Sequence, residues 1–279
     1  MSHFVSAAEL HDLLENGAPI RVVDVRWRLD RPEAGPGDYR SGHIPGAVFA
    51  SLDQELSTPG APTEGRHPLP STETLQAAAR RWGVRQGDTV VAYDDTKGLA
   101  AARAWWLLRQ AGVEVRVLDG GLRAWTAAGY DLATDDVVPE TGDVVLADPG
   151  QDALSIDEAA AFPETGVLLD VRAPERYRGE TEPLDPIAGH IPGARNLPTT
   201  RHLDESGRIR DRDTVLATLA EVGITAETPV AAYCGSGITA AHTALVLQEV
   251  GIPAKVFPGS WSQWSNTPGR PVATGDQPG

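Results

Sequence analysis

The 279-residue sequence contains one cysteine, Cys234, and that scarcity excludes an intramolecular disulfide and any metal centre built from several thiolates. Any thiol chemistry must pass through that residue. Basic side chains are also scarce: 24 lysines and arginines face 39 aspartates and glutamates, a net charge of −15 that repels nucleic-acid backbones and anionic lipid surfaces. No run approaches the roughly 18 apolar residues of a membrane helix. The N-terminal MSHFVSAAELHDLLENG has no basic segment leading into an apolar one, so no secretory signal is expected. The expectation is a cytoplasmic protein with neither nucleic-acid nor membrane partners. His3, His11, His202 and His242 lack metal-ligand spacing, and neither a metal nor a cofactor is predicted. What is present, 41% hydrophobic and 23% charged residues, is ordinary for a folded chain, and the length suits two domains.

Those two domains announce themselves as a repeat. GHIPGA occurs at Gly42 to Ala47 and again at Gly189 to Ala194. Upstream, VVDVRW (Val22 to Trp27) matches LLDVRA (Leu168 to Ala173). Downstream, VVAYDD (Val90 to Asp95) matches VAAYCG (Val230 to Gly235), and GGLRAW (Gly120 to Trp125) answers GSWSQW (Gly259 to Trp264). Four matched words in one order mean a duplicated domain, divided here as residues 1–134, an acidic linker 135–152 that carries turn residues and no helical period, and residues 153–279.

Within each copy short β-branched runs alternate with helical patterns, which predicts an α/β three-layer αβα unit around a parallel sheet. Ser6 with Glu9, and Ser155 with Glu158, read as helix-capping pairs. Strands are predicted near Ile20 to Asp24, Thr89 to Tyr93 and Val115 to Leu118, then near Val167 to Asp170, Pro229 to Tyr233 and Ala254 to Phe257. Helices are predicted near Thr72 to Trp82, Leu99 to Ala111, Thr214 to Val222 and Ile238 to Val250.

Cys234 closes one of these strands and precedes Gly-Ser-Gly-Ile-Thr and a helix. In open α/β sheets ligands bind where strand carboxyl ends meet helix N-termini. Gly235 and Gly237 permit a tight loop with inward N–H groups, and the helix start adds partial positive charge, a setting that stabilises a sulfur anion. Ser236 does not fit a hydrolase elbow, since Gly-x-Ser-x-Gly would need glycine at position 234. In the first copy Asp94 stands where the second has Cys234, and Lys97 is an extra residue in that loop, so only the second copy offers a nucleophile.

The duplicated architecture, the paired GHIPGA words and the CGSGIT loop resemble the two-domain rhodanese-type sulfurtransferases, over essentially the whole chain. The resemblance implies two tandem rhodanese-like domains, the first inactive and closing one wall of a cleft. It also implies a Cys234 thiolate that takes a sulfane sulfur from thiosulfate or 3-mercaptopyruvate, holds it as a persulfide, and passes it to an acceptor. That acceptor is cyanide, a small thiol, thioredoxin or a sulfur-carrier protein. A related family holds phosphate with Cys-x5-Arg; here Ala240 occupies the arginine position, against a phosphatase reading.

The amides of Gly235, Ser236, Gly237, Ile238 and Thr239 are the expected cradle for the sulfur anion. Arg176, before Tyr177, matches the family's donor-binding arginine; Arg172 and Arg178 are further candidates. The loop lacks the basic residues that thiosulfate enzymes carry after the cysteine, whereas the second arginine of the mercaptopyruvate enzymes' Glu-Pro-Arg word is Leu184 here. The resemblance further implies a relay of Asp53, His67 and Ser236, and places Trp27 near the cleft mouth. His43 and His190 recur in the copy without a nucleophile, which argues for structural roles. The alternative reading is a non-catalytic rhodanese-fold module that binds an anion or a partner protein or acts as a sulfur carrier.

Overall fold

A computed structural model describes residues 2–279. The chain forms two compact units. The first is built from the chain up to Thr58, Leu69–Gln151 and Glu205–Arg208; the second from Pro59–Pro68, Asp152–Asp204 and Ile209–Gly279. No helix among the described residues is long and apolar enough to cross a membrane.

In the first unit strands β1 (Phe4–Val5), β2 (Ile20–Asp24), β3 (Val48–Phe49), β4 (Thr89–Tyr93) and β5 (Glu114–Leu118) form an all-parallel sheet ordered β1-β5-β4-β2-β3. Six helices accompany it: α1 (Ala7–Glu15), α2 (Gly35–Ser41), α3 (Leu52–Glu55), α4 (Thr72–Arg81), α5 (Ala101–Gln110) and α6 (Gly121–Ala127). Helix α1 starts where Ser6 Oγ accepts the Glu9 N–H, while the Glu9 carboxylate also pairs with Arg116. The acidic segment after Asp135 lies along this unit: Gly142 N–H donates to the Arg80 carbonyl, Arg80 Nε to the Val144 carbonyl, and Val144 and Leu146 are buried.

The second unit holds β6 (Val167–Asp170), β7 (Arg195–Asn196), β8 (Val230–Tyr233) and β9 (Ala254–Val256), again all parallel, in the order β7-β6-β8-β9. Its helices are α7 (Ile156–Ala161), α8 (Pro174–Tyr177), α9 (Arg212–Glu221), α10 (Ile238–Glu249) and α11 (Ser260–Asn266). Here the Ser155–Glu158 capping box is complete. Every residue of β6 and β8 is buried, as strands covered on both faces require. Helix α10 is apolar on nearly all sides and runs through the interior.

The repeated words meet in space. Asp170 Oδ2 accepts from Arg172 Nη2 (2.6 Å) and from Tyr233 Oη (2.7 Å). Arg172 Nη2 reaches on to the Gly189 carbonyl (2.6 Å), and Tyr233 Oη accepts the Ile191 N–H (3.1 Å). Asp-Val-Arg, Gly-His-Ile and the strand-end tyrosine are thus one buried lock. The first unit repeats it with Asp24, Arg26, Tyr93, Gly42 and Ile44. His43 and His190 are fully buried in the same words, stacked on Tyr39 (4.0 Å) and Tyr177 (3.7 Å) and hydrogen-bonded through Nδ1 to the carbonyls of those tyrosines.

A second pair of histidines is buried in the second unit. Burial and the Arg201 charge pull His202 down to about 4. Burial and His202 pull His242 down to about 3. Neither ring nitrogen of His202 has a hydrogen-bond partner, whereas His242 Nδ1 shares one with Thr199 Oγ1 (2.8 Å). Both imidazoles therefore fold uncharged, and unfolding returns them towards 6.5. Their stabilising contribution is complete above about pH 6.5 and declines below it, because the unfolded chain takes up protons that the folded chain refuses. Urea unfolding should show stability falling between pH 6.5 and pH 4 by about 1–3 kcal/mol per imidazole, and His202→Phe should flatten that slope. An identical slope in the variant would contradict the assignment.

Candidate active site

The lock fixes the end of β8, and the next residue is Cys234. Its side chain is 3% exposed. Sγ accepts the Gly237 N–H at 3.1 Å. Gly237 caps α10 in the left-handed region at φ 82°, and a Cβ there would lie 2.4 Å from the Pro258 carbonyl oxygen, so only glycine turns this amide inward. Ile238 and Thr239 form the first turn of α10, where N–H groups have no intrahelical acceptor. The loop's outward carbonyls are taken by the start of α11: Trp261 N–H donates to the Cys234 carbonyl and Ser262 N–H to that of Gly235.

Ser260 is a residue the sequence reading passed over. Its Oγ accepts the Cys234 N–H (3.1 Å), donates to the Phe257 carbonyl (2.9 Å) and lies 3.9 Å from Sγ. It does so from φ 53°, a conformation that disfavours any side chain. The matching position of the first copy is Gly121 at φ 59°. The signal was present in the repeat: a serine in the word GSW where the other copy has two glycines.

The first unit's loop shows what such a turn collects. Asp94 is fully buried, and its carboxylate accepts N–H bonds from Thr96, Gly98, Ala100 and Ala101 at 2.8–2.9 Å. Burial pushes this acid up, opposed by those four amides. The extra residue Lys97 is absorbed at φ 67°.

Of the other predicted residues, the structure brings Ser236 and His67 together: Ser236 Oγ and His67 Nδ1 share a 2.8 Å hydrogen bond, both side chains buried. His67 reaches the loop because Pro59–Pro68 belongs to the second unit. Asp53 and Trp27 belong to the first, where Trp27 Nε1 donates to Asp53 Oδ2 (3.0 Å). Arg176 lies beside the loop: a Cβ on Gly235 would sit 3.5 Å from its Nη1. Its Nε and Nη2 donate to Glu182.

Two candidate arginines are employed elsewhere. Arg172 is buried, its guanidinium committed to Asp170, Glu182 and the Gly189 carbonyl. Arg26 has the matching bonds to Asp24 and the Gly42 carbonyl in the copy without a cysteine, so these bonds of Arg172 belong to the repeated lock. Burial opposes the Arg172 cation, but Asp170 outweighs it and raises its pKa. Arg178 pairs with Glu180 and faces Asp276, leaving it no part in the loop. The sequence reading also missed Arg66, whose Nη1 lies 3.9 Å from a Gly235 Cβ; an arginine outside the matched words carries no local signal.

Replacing Ser260 by glycine should leave the fold standing, since the lost hydrogen bond and the relieved backbone strain each amount to about 1 kcal/mol. It should slow alkylation of Cys234 by iodoacetamide severalfold, as the thiol loses the hydroxyl that holds its backbone. An unchanged rate would deny Ser260 a positioning role.

Comparison with known proteins agrees with this geometry. The rhodanese-like domain model matches residues 6–128 and 155–267. The chain is 47% identical to a Mycobacterium tuberculosis protein bearing the provisional name thiosulfate sulfurtransferase SseB, over 97% of this chain and 96% of that protein. It is 43% identical to a Pseudomonas aeruginosa protein provisionally named a 3-mercaptopyruvate sulfurtransferase, over 91% of this chain and 92% of that protein. The crystal structure of the 3-mercaptopyruvate enzyme SseA from Escherichia coli superposes with a TM-score of 0.82 at 32% identity, covering 94% of this chain and 99% of that one. With both copies matched, the chain belongs to the rhodanese family, as a two-domain relative of the thiosulfate and 3-mercaptopyruvate sulfurtransferases.

Proposed function

We propose that this chain is a sulfurtransferase that works through a persulfide on Cys234. The thiolate attacks the outer sulfur of a small anionic donor. With thiosulfate the S–S bond breaks and sulfite leaves; with 3-mercaptopyruvate the C–S bond breaks and the enolate of pyruvate leaves, to be protonated at carbon. Either way the sulfur stays as Cys234–S–S−. An acceptor, cyanide or a thiol, then attacks that outer sulfur and the Cys234 thiolate departs as leaving group. Thioredoxin or a sulfur-carrier protein would serve as a thiol acceptor by the same step.

The observation that carries this reading is the Gly237 N–H on Cys234 Sγ at the start of α10, since amides aimed at a sulfur anion favour both attack and storage. Asp94 supports it independently, because the corresponding turn of the first unit gathers four N–H groups around the oxygens of a carboxyl group. Ser236 and His67, hydrogen-bonded beside the nucleophile, are suited to move a proton to the departing enolate. Asp53 and Trp27 enter this reading through the family resemblance alone. The relatives' names divide between the two donors, as the sequence features do.

Intact mass after incubation with thiosulfate, and separately with 3-mercaptopyruvate, should show the gain of one sulfur atom from at least one donor. Cys234→Ser should show none and lose turnover to cyanide by a factor of about 10³ or more. No gain with either donor would favour a non-catalytic anion- or partner-binding module.

A further inference from the structure

In the second unit an arginine covers a tryptophan; in the first unit the same position of the repeat is a tyrosine, and a cavity lies beside it. Trp264 and Trp125 close the matched words GSWSQW and GGLRAW. Each indole Nε1 donates to a carbonyl a few residues on, that of Pro271 and that of Asp131, both at 2.9 Å. Each tryptophan is followed by a left-handed glycine, Gly269 at φ 82° and Gly129 at φ 83°. The next residue is where the copies part. In the second unit it is Arg270, whose Cζ lies 5.3 Å from the Trp264 ring centroid while its Nη2 donates to Asp157 in the first turn of α7. In the first unit it is Tyr130, stacked on His11 of α1 (4.1 Å between centroids, 13° between planes) and 4.8 Å from Trp125. We propose that this corner of the first unit binds a guanidinium group carried by a small molecule, the ligand bringing the cation that Arg270 provides in the second unit.

The cavity has about 440 Å³ and is lined by His11, Leu14, Glu15, Trp125, Tyr130 and Asp131 among others. That volume falls within the range of sites that enclose a small organic ligand. Three of these side chains are aromatic rings, whose faces attract a planar cation. Two are carboxylates, and both Glu15 and Asp131 are exposed. No arginine or lysine is among the described residues that line the cavity, so its wall holds two acids and no permanent cation. Glu15 is also the last residue of α1, whose final turn has no basic side chain. A cation bound there would meet the negative end of the helix dipole as well as the acid.

The second unit assembles the same association from its own residues: one indole, one guanidinium and one carboxylate. In the first unit the position matching Asp157, two residues after the N-cap serine, is Ala8. Its acids come instead from the end of α1 and from the residue after Tyr130. A guanidinium suits this wall better than an ammonium group, because it is flat and weakly hydrated, stacks on a ring, and offers a carboxylate a fork of N–H donors from its edge. The site lies in the copy that has no cysteine, and it is independent of the sulfurtransferase reading.

The test is an NMR titration of the full chain that follows the indole N–H resonances, among them that of Trp125, which donates to the backbone of a cavity residue. The probe is Nα-acetyl-L-arginine methyl ester, whose only charge is the guanidinium. The control is the matching citrulline ester, in which an uncharged urea group replaces the guanidinium in nearly the same shape. The arginine ester should shift the Trp125 resonance with a Kd of about 1 mM, and the citrulline ester should bind at least about tenfold more weakly. Raising the salt from about 20 to about 300 mM should weaken the arginine ester severalfold. Glu15→Gln combined with Asp131→Asn, both surface changes, should weaken it about tenfold without altering the rest of the spectrum. Tyr130→Arg, which installs the residue of the second unit, should fill the site and abolish the shift; should that variant misfold, the double carboxamide variant decides alone. Equal binding of the two esters, a Kd untouched by the two carboxamide substitutions, or no shift at all would overturn the proposal. No sulfur donor is used, so neither result depends on whether Cys234 transfers sulfur.

Discussion

A carboxylate buried at the end of a β-strand is costly unless every lone pair is met, and in both units the answer is the same three-part lock. Asp170 takes the Arg172 guanidinium and the Tyr233 hydroxyl, and through them ties β6 and β8 to the Gly189–Ile191 backbone. Tyr233 immediately precedes Cys234, so the cysteine leaves the sheet from a point held by two hydrogen bonds. Tyr177, packed on His190 and bonded to the Ala194 carbonyl, carries the same rigidity into α8 and so to Arg176. Removing one partner of such a buried set would leave an uncompensated charge, which typically destabilises by about 3–5 kcal/mol. This explains why Asp-Val-Arg and Gly-His-Ile are present in the copy that has no cysteine.

From that fixed point the two loops diverge by one residue choice. The first unit fills its turn with the Asp94 carboxyl group, which takes four N–H bonds of the loop itself. The second puts a sulfur there, which accepts the Gly237 N–H, with a left-handed serine beneath it.

Charge around the nucleophile contrasts with the acidic whole. Arg66, Arg172 and Arg176 sit among Asp170, Glu182 and Asp185, so these ion pairs are balanced although the chain carries −15.

Much of this was legible in the sequence. The repeat, the principal strands and long helices, the paired capping serines and the position of Cys234 all follow from local signals: β-branched runs, capping pairs and a word repeated in order. The two-residue strands Phe4–Val5, Val48–Phe49 and Arg195–Asn196 had no such signal, because they are too short for any period. The structure alone showed how Arg66 and Arg176 are paired, with Asp185 and Glu182, because a guanidinium's partner is chosen by distance in space. It also seated Ser260 under the thiol and His67 against Ser236. Local chain chemistry determined the elements and the place of the lone cysteine; the tertiary contacts, which join residues up to 200 positions apart, decided which polar groups surround it.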